Sequence, residues 1–587
     1  MVFNVQSYIK CNNAQWYVFI LLLSVIFVKS VLLNLMCYSA EPGYIKTLIF
    51  SLPQKLVPAL LVAGFVFVAK HQWWTIIANV LVDIWIIANL FYFKANGIFL
   101  SYEIMTMAGN LDGYWGSLLN YIGWDIVVYP IITIIYSILI WGVESKKRNY
   151  WYTCMIVFAA LVLTFGDQVI HKVHKTDQGQ SSIKTQLRYC LPFAHAISYA
   201  QEEWVDYNWW SKQYIRKFSI ISYFPSFLIY KCASPKQNVI HIENVDDSKI
   251  TPFVSDKLEI PNPKFNLIFI LVESLESWAS DTINGLDFMP NLNRIIHDNH
   301  TLYCRNLKSQ TVHGNSADGQ LIVITGLLPI TDGVVCKSFA DNAYPSYVQC
   351  YKTSSLINPY PGTWNKSKTT RSYHFGELIE PRNGRWNDEE LSEEIIHYID
   401  TTQQPFCTMG LTITSHAPFS YGATNPKYIV DGMPAKMSAY LNCIAYVDSC
   451  IGAIYSHIRE SEHLATNTIL VITGDHTVFR SKEKEMDEYA KDMHINFQST
   501  KTHVPLIIWS PLISGSQQIN ETCYQMDIYP TIMSLIGCED YYWKGLGANL
   551  LEKEAYSNRL VGEQEAYELS NVIIKSNYFR KIISRDE

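Results

Sequence analysis

The sequence predicts two architectures in one chain: a five-helix transmembrane bundle, then an α/β domain whose mixed, largely parallel sheet carries helices on both faces. Three observations predict it. Hydrophobic residues make up 49% of the 587 residues and charged residues only 17%, a low charge content for a soluble chain of this length. The apolar excess is gathered before residue 170. From Pro261 onward, short apolar runs alternate with helical stretches, as strands joined by crossover helices would. One core cannot serve so long a chain. We divide it into a transmembrane domain (1–169), a juxtamembrane connector (170–258) and an α/β domain (259–587).

Five candidate spans open the chain: Trp16 to Leu35, Leu48 to Ala69, Trp73 to Phe93, Tyr121 to Val143, and Tyr150 to Phe165 with its flanks. Each approaches the roughly 20 apolar residues a bilayer requires. The first has no small-residue cleavage site and four more spans follow it, so it reads as a retained anchor rather than a signal peptide. Lys10, Lys70 and Lys146-Lys147-Arg148 fall in loops that alternate with those holding Lys46 and Lys94. The positive-inside rule then puts the N-terminus in the cytoplasm and everything past about residue 170 outside it. The expected location is the bacterial cytoplasmic (inner) membrane, crossed several times. Lys29 and Asp83 fall within spans, where a lone charge is costly, and pairing between the first and third spans is the expectation. The net charge of -7 gives no basic footprint, which argues against a nucleic-acid partner.

In the connector, Tyr199 to Phe224 is aromatic and amphipathic; Trp204, Trp209, Trp210 and Tyr214 suit either a membrane interface or a helix packed on the second domain. Ten of the thirteen cysteines, from Cys190 on, would lie outside, where disulfides are permitted. No spacing fixes a pairing. Cys336 and Cys350 are close enough in sequence to bridge, whereas Cys443 and Cys450 would lie two turns apart on one helix, too far for a bond. The plain reading of these cysteines is as small buried apolar residues. There is no C-x2-C pair and so no zinc ribbon.

In the α/β domain, strands are expected at 267–272, 406–413, 468–473 and 504–509, and helices at 316–327, 388–400 and 436–460. Ligand sites in such sheets lie beyond the carboxyl ends of the strands. Glu273 ends the first run, and Asp475-His476 follow the third after Thr473-Gly474. A carboxylate at the mouth of a buried strand is paired, caps a helix or binds metal. Glu276, in the same Glu-Ser-Leu-Glu run, is a competitor, but Glu273 is nearer the strand end. Gly474 frees the backbone to turn, so that Asp475 and His476 can converge on one ion. Oxygen and nitrogen donors suit manganese, zinc or magnesium, and His argues against calcium.

Between these acids lies Val312-His313-Gly314-Asn315-Ser316-Ala317-Asp318-Gly319-Gln320. Ser316, at the start of a helical run, reads either as an N-cap or as a nucleophile at a dipole that favours an incoming phosphate. A serine hydroxyl needs a base or metal to activate it, and with the acidic ligands present this is the layout of a metal-activated phosphotransferase. Ser415-His416-Ala417-Pro418-Phe419 ends another strand, where His416 could bind phosphate or move a proton. His503, before Val504, is a weaker candidate of the same kind.

The five spans, Glu273, Gly314 to Gln320, Gly326-Leu327-Leu328-Pro329, Thr414 to Phe419, Gly474-Asp475-His476 and Asp527-Ile528-Tyr529-Pro530-Thr531 resemble, in this order, the lipoteichoic acid synthase-type proteins of the sulfatase/alkaline phosphatase superfamily. The resemblance covers nearly the whole chain. It implies a sulfatase-like fold and one divalent metal, manganese first with zinc or magnesium as alternatives, held by Glu273, Ser316, Asp475 and His476. It also implies Ser316 and His416 as catalytic residues, with His416 on the glycerol phosphate group. The synthases carry Thr where this chain has Ser316, and their Trp-Asn-Arg element is matched by Trp364-Asn365-Lys366. Their preceding His-Gly element has no clear match; Ile357-Asn358-Pro359-Tyr360 stands there. Trp364, Lys366, His416 and His503 are the expected substrate-binding residues.

The function expected from the resemblance is transfer of phosphoglycerol from a membrane phospholipid, phosphatidylglycerol, to a hydroxyl of a glycan, lipid or polymer acceptor. The rival is a phosphoethanolamine transferase acting on lipid A or a glycan, and a further alternative is a non-catalytic membrane protein of the same fold. Sulfate ester cleavage is excluded, because Ser316-Ala317-Asp318-Gly319-Gln320 lacks the Pro and Arg of a formylglycine motif. Because Lys366 supplies a point charge without a bidentate fork, the expected product is one or a few units on a glycan rather than a long polymer.

Overall fold

The computed structural model describes residues 14–38, 44–69, 71–96, 99–100, 122–143, 149–160, 214–216, 218–223, 240–257, 259, 262–312, 314–331, 333–359, 372–382, 384–479, 483–497 and 503–580. Lys10, Lys70, Lys146-Lys147-Arg148 and most of the connector, including Trp204, Trp209 and Trp210, lie outside the described residues. The chain divides into two compact units, Met1–Lys236 and Gln237–Glu587.

The first unit is helical: α1 (Ala14–Tyr38), α2 (Tyr44–Gly64), α3 (Trp73–Asn96), α4 (Trp124–Ile140) and α5 (Tyr150–Ala160). Helices satisfy every backbone group internally, which lipid demands. They also leave large apolar side chains facing outward, among them Ile20, Leu81, Ile84, Ile138 and Phe158. Among the described residues of this unit, Ala14–Tyr38 and Trp73–Lys94 are long and apolar enough to cross a membrane, while Ser51–Phe67, Trp124–Ile140 and Tyr150–Ala160 are shorter. The helices thus support a membrane protein without establishing five crossings. Lys29 is fully buried; its Nζ pairs with Asp83 and donates to Asn79 Oδ1 at 2.7 Å and Thr133 Oγ1 at 2.6 Å. The expected pairing between α1 and α3 is therefore present, and α4 joins it through Thr133. Tyr214, Phe218 and Tyr223 of the connector are buried against Leu33, Ile86 and Tyr129 of this unit.

The second unit is built on a nine-stranded sheet. Its strands are β1 (Asn266–Val272), β2 (Thr301–Lys308), β3 (Thr353–Ile357), β4 (Glu377–Ile379), β5 (Phe406–Leu411), β6 (Thr468–Gly474), β7 (His503–Trp509), β8 (Gln517–Ile519) and β9 (Cys523–Tyr524). The order is β8-β2-β7-β6-β1-β5-β3-β4, with β9 also beside β2. Only β7 runs against its neighbours; every other pairing is parallel.

Alternate residues of β1 enter different cores. Leu267, Phe269 and Leu271 pack with Leu321 and Ile324 of α6 (Ser316–Thr325) and with residues of α9 (Ile528–Leu535) and α10 (Glu563–Ser576). Ile268, Ile270 and Val272 pack with α7 (Asp388–Thr401) and α8 (Ala435–Glu460). Burial on both faces explains why the strands are continuous apolar runs rather than alternating ones. α8 is also long and apolar enough to span a membrane, but 78% of its apolar window is buried in the domain core, so it is a core helix. Residues 240–257 belong to this unit: the Ile240 amide donates to the Lys575 carbonyl at 3.2 Å, and Val254 bridges Trp543.

Candidate active site and metal centre

β1 and β6 are parallel neighbours in register, with Val272 opposite Gly474. The next residues, Glu273 and Asp475-His476, therefore emerge side by side at one sheet edge, all three buried. One donor atom from each lies within 4.8 Å of the others. His476 Nε2 is 3.3 Å from Glu273 Oε1 and 3.5 Å from Asp475 Oδ2. Gly474 is required at the turn, since a Cβ there would stand 2.3 Å from the Leu275 carbonyl oxygen.

Ser316 joins this cluster from the first turn of α6. Its hydroxyl donates to Glu273 Oε2 at 3.1 Å and lies 3.3 Å from His476 Nε2. The N-cap position belongs to Asn315, whose backbone is held at φ 46°, and no side chain caps the helix. The N-cap reading of Ser316 is thereby replaced: its hydroxyl serves the acidic cluster. Asp318 holds the turn by accepting the amides of Val312 at 2.9 Å and Gly314 at 2.8 Å. A Cβ on Gly319 would come within 2.6 Å of the Asp475 carbonyl oxygen, so glycine lets α6 dock against the turn that carries Asp475 and His476.

Further contacts fix the two carboxylates. Ser274 donates its amide to Asp475 Oδ1 at 2.8 Å and its hydroxyl to Glu273 Oε1 at 2.7 Å. The Glu273 amide donates to Thr412 Oγ1 at 3.0 Å. Gln525 Nε2 donates to the carbonyls of Gly474 (3.1 Å) and Asp475 (2.9 Å). Ser274, Asp318, Thr412 and Gln525 were not foreseen from the sequence. Asp318 alone had a signal, an acid in the first turn of a helix two residues past Ser316. Glu276, the competitor to Glu273, serves elsewhere: it accepts the amides of Val478 and Phe479 at 2.8 and 3.0 Å and the Trp278 indole at 2.7 Å.

Burial opposes ionisation of Glu273, but His476 and His416 and the hydrogen bonds from His476 and Ser274 outweigh it, and its carboxyl is held well below the ordinary range. Burial, reinforced by the charge of Glu273, pushes Asp475 up to about 6. Burial likewise raises Glu276 to about 6 against the pull of its amide donors. Among the described residues, no lysine or arginine forms an ion pair with Glu273 or Asp475. Two carboxylates, an imidazole and a hydroxyl meeting without a local cation form a donor set suited to one divalent ion.

His416 stands exposed on the rim after β5, close enough for its charge to favour ionised Glu273. Its Nδ1 is 2.6 Å from the Ala417 carbonyl, and the Ser415 hydroxyl anchors the loop to the Glu273 carbonyl. Asp388 accepts the amides of Ile413 and Thr414 at 2.8 and 2.9 Å, fixing the approach to this loop. His503 reaches the same edge because β7 is reversed; it lies opposite Lys308 and outside the Glu273–Asp475–His476 group. Trp364 and Lys366 lie outside the described residues.

Residues 266–538 match the Sulfatase family model, and residues 3–179 match the Lipoteichoic acid synthase N-terminal domain. Lipoteichoic acid synthase of Staphylococcus saprophyticus is 22% identical over 551 residues, covering 87% of this chain and 80% of that protein. Lipoteichoic acid synthase 2 of Bacillus subtilis is 23% identical over 339 residues, and the match spans about half of each chain, 53% and 52%. Among solved structures, the lipoteichoic acid synthase LtaP from Listeria monocytogenes is similar, with a TM-score of 0.44 and 17% identity over 59% of this chain and 98% of that one. Two family models follow one another along the chain in the order its two units require, and the chain is a phosphotransferase of the lipoteichoic acid synthase type within the sulfatase/alkaline phosphatase superfamily.

Proposed function

We propose that this protein moves a phosphoglycerol group from phosphatidylglycerol to a hydroxyl of a glycan, lipid or polymer acceptor, outside the cytoplasm and anchored by five membrane spans. Ser316 Oγ attacks the phosphorus, the bond to the diacylglycerol oxygen breaks, and diacylglycerol leaves with a proton. A phosphoglycerol-serine ester remains until an acceptor hydroxyl displaces Ser316. Glu273 Oε2 lies where it can draw off the Ser316 proton. The N-terminus of α6 favours the negative phosphoryl oxygens. His416, with Nδ1 engaged by the Ala417 carbonyl, presents Nε2 to the phosphate or the leaving oxygen. A divalent cation held by Glu273, Ser316, Asp475 and His476, manganese in the first place, would neutralise phosphoryl charge and lower the serine pKa. Trp364, Lys366 and His503 are proposed to meet the head group.

The observation that carries this reading is that the Ser316 hydroxyl turns away from its own helix and into the carboxylate–imidazole cluster. The test is mass spectrometry of Ser316 after incubation with mixed phospholipids. A glycerol phosphate adduct is the expected result; an ethanolamine phosphate adduct would hand the site to the rival transferase. An adduct on another residue would remove Ser316 from the reaction.

A further inference from the structure

The second unit buries eight cysteines, and four of them meet in two pairs that the chain order conceals. Cys304 lies in β2, flanked on one side by the segment 517–524: Ile519 of β8 pairs with Cys304 itself, and Cys523 of β9 pairs with Leu307. Cys304 and Cys523 are both fully buried in the same core, and the Cys523 side chain lies beside the Cys304 thiol. Cys350 ends the single turn Tyr347–Cys350, and Cys538 follows α9. These elements are packed together, the Tyr347 and Tyr529 rings standing 6.3 Å apart, and the Cys350 and Cys538 thiols are also in contact. Cys538 is fixed by its own backbone: the chain leaves α9 through Gly537 at φ 71°, and the Cys538 amide donates to the Met533 carbonyl at 2.7 Å.

We propose that Cys304–Cys523 and Cys350–Cys538 are disulfides in the mature protein. The inference rests on the extracytoplasmic placement proposed above, since thiols persist in a reducing cytosol and are oxidised outside it. In each pair the two thiols give up two electrons and two protons to a disulfide-bearing oxidant, which leaves as two thiols. Because both partners are buried, the bonds form as the domain folds, before the core closes. The sequence-based option of Cys336 with Cys350 is displaced, because the neighbour of Cys350 is Cys538.

The two bonds would have one effect in common. Each ties residues 517–538 to the front half of the domain, and that segment carries Gln525, which supports the carbonyls of Gly474 and Asp475. A covalent hold there stiffens the backing of a proposed metal ligand. The loops closed are long, the case in which a cross-link restricts the unfolded chain most.

The experiment is non-reducing peptide mapping of the full-length protein, with cells lysed directly into N-ethylmaleimide. The expected result is two cross-linked peptide pairs, 304 with 523 and 350 with 538, while Cys336, Cys407, Cys443 and Cys450 carry the maleimide. Dithiothreitol should lower the unfolding midpoint of the detergent-solubilised protein by on the order of 5–10 °C. It should leave unchanged the midpoint of a Cys304→Ala, Cys350→Ala, Cys523→Ala, Cys538→Ala variant. Mapping needs only the wild-type chain, so a variant that fails to fold does not block the test. Four labelled thiols in the wild type overturn the proposal. A parallel incubation of purified protein with oxidised glutathione locates the fault. Closure of the same two pairs there means that the placement outside the cytoplasm has failed; no closure, or closure with other cysteines, means that the pairing itself is wrong.

Discussion

The Lys29 cluster of the helical unit and the Glu273 cluster at the sheet edge both bury carboxylates, but among the described residues only the first has a lysine or arginine paired with them. In the first, one ammonium meets one carboxylate, and Asn79 and Thr133 fill the remaining positions of Lys29. In the second, Glu273 and Asp475 face each other, and His476 offers at most one positive charge. A balanced buried cluster can be purely structural. An unbalanced one is stable only with protonation or a bound cation; burial first, and the charge of Glu273 after it, push Asp475 toward its protonated form.

The largest effect should come from breaking the unbalanced cluster. Asp475→Ala is expected to weaken metal binding by more than about 100-fold and to abolish transfer, measured by metal content after gel filtration and by turnover with added manganese. Retention of both metal and turnover would remove Asp475 from the ligand set. Next comes Ser316→Ala, which should keep the metal and the fold while turnover falls roughly a thousand-fold or more and the serine adduct disappears. Ser316→Thr should retain part of the activity.

The balanced cluster makes the opposite prediction. Lys29→Met alone should destabilise the helical unit by about 3 kcal/mol, because it strands Asp83. Adding Asp83→Leu should recover most of that loss, and neither change should alter metal content. Thermal unfolding in detergent reads the stability, and failure of the double variant to recover would show that the pair has a role beyond neutrality.

Glu276 gives a smaller test, of pH dependence. Its folded value of about 6 lies above the ordinary glutamate value of 4.5. The native state therefore takes up a proton on acidification before the unfolded chain does. Stability from this group is lowest above about pH 6 and rises as the pH falls toward 4.5, by roughly 2 kcal/mol across that interval. Glu276→Gln should remove this dependence, so unfolding free energies of the two proteins, compared in chelator from pH 4.5 to 7, should converge or diverge only below about 6. A constant difference would mean that Glu276 does not titrate there.

Much of this was legible because strands buried on both faces announce themselves as unbroken apolar runs, and the polar residue that ends such a run sits at the sheet edge. Glu273, Asp475 and His476 were found that way. Ser316 was legible only as a choice between cap and nucleophile, and the position of Asn315 removes the cap. Thr412 and Gln525 could not be read, because their roles lie in which backbone group each meets across the fold. Cys304 and Cys523 were unreadable for the same reason, their contact being set by strand order. In the helical unit the apolar runs were plain, but several described helices are shorter than the runs, so the number of crossings does not follow from hydropathy alone.

The reversal of β7 has an evolutionary consequence. Parallel neighbours must be joined by a segment that travels the length of the sheet, so its size is constrained by packing on a face. β6 and β7 are antiparallel neighbours, and the chain leaves one and enters the other at the rim where Asp475 and His476 sit. The connection between them has no sheet to cross, yet Phe479, Met486, Tyr489 and Phe497 along it are buried in the core with α8, so what it packs against, and not what it must span, limits its length. Insertions between those buried residues would reshape the rim beside the cluster while leaving the order and register of the sheet unchanged.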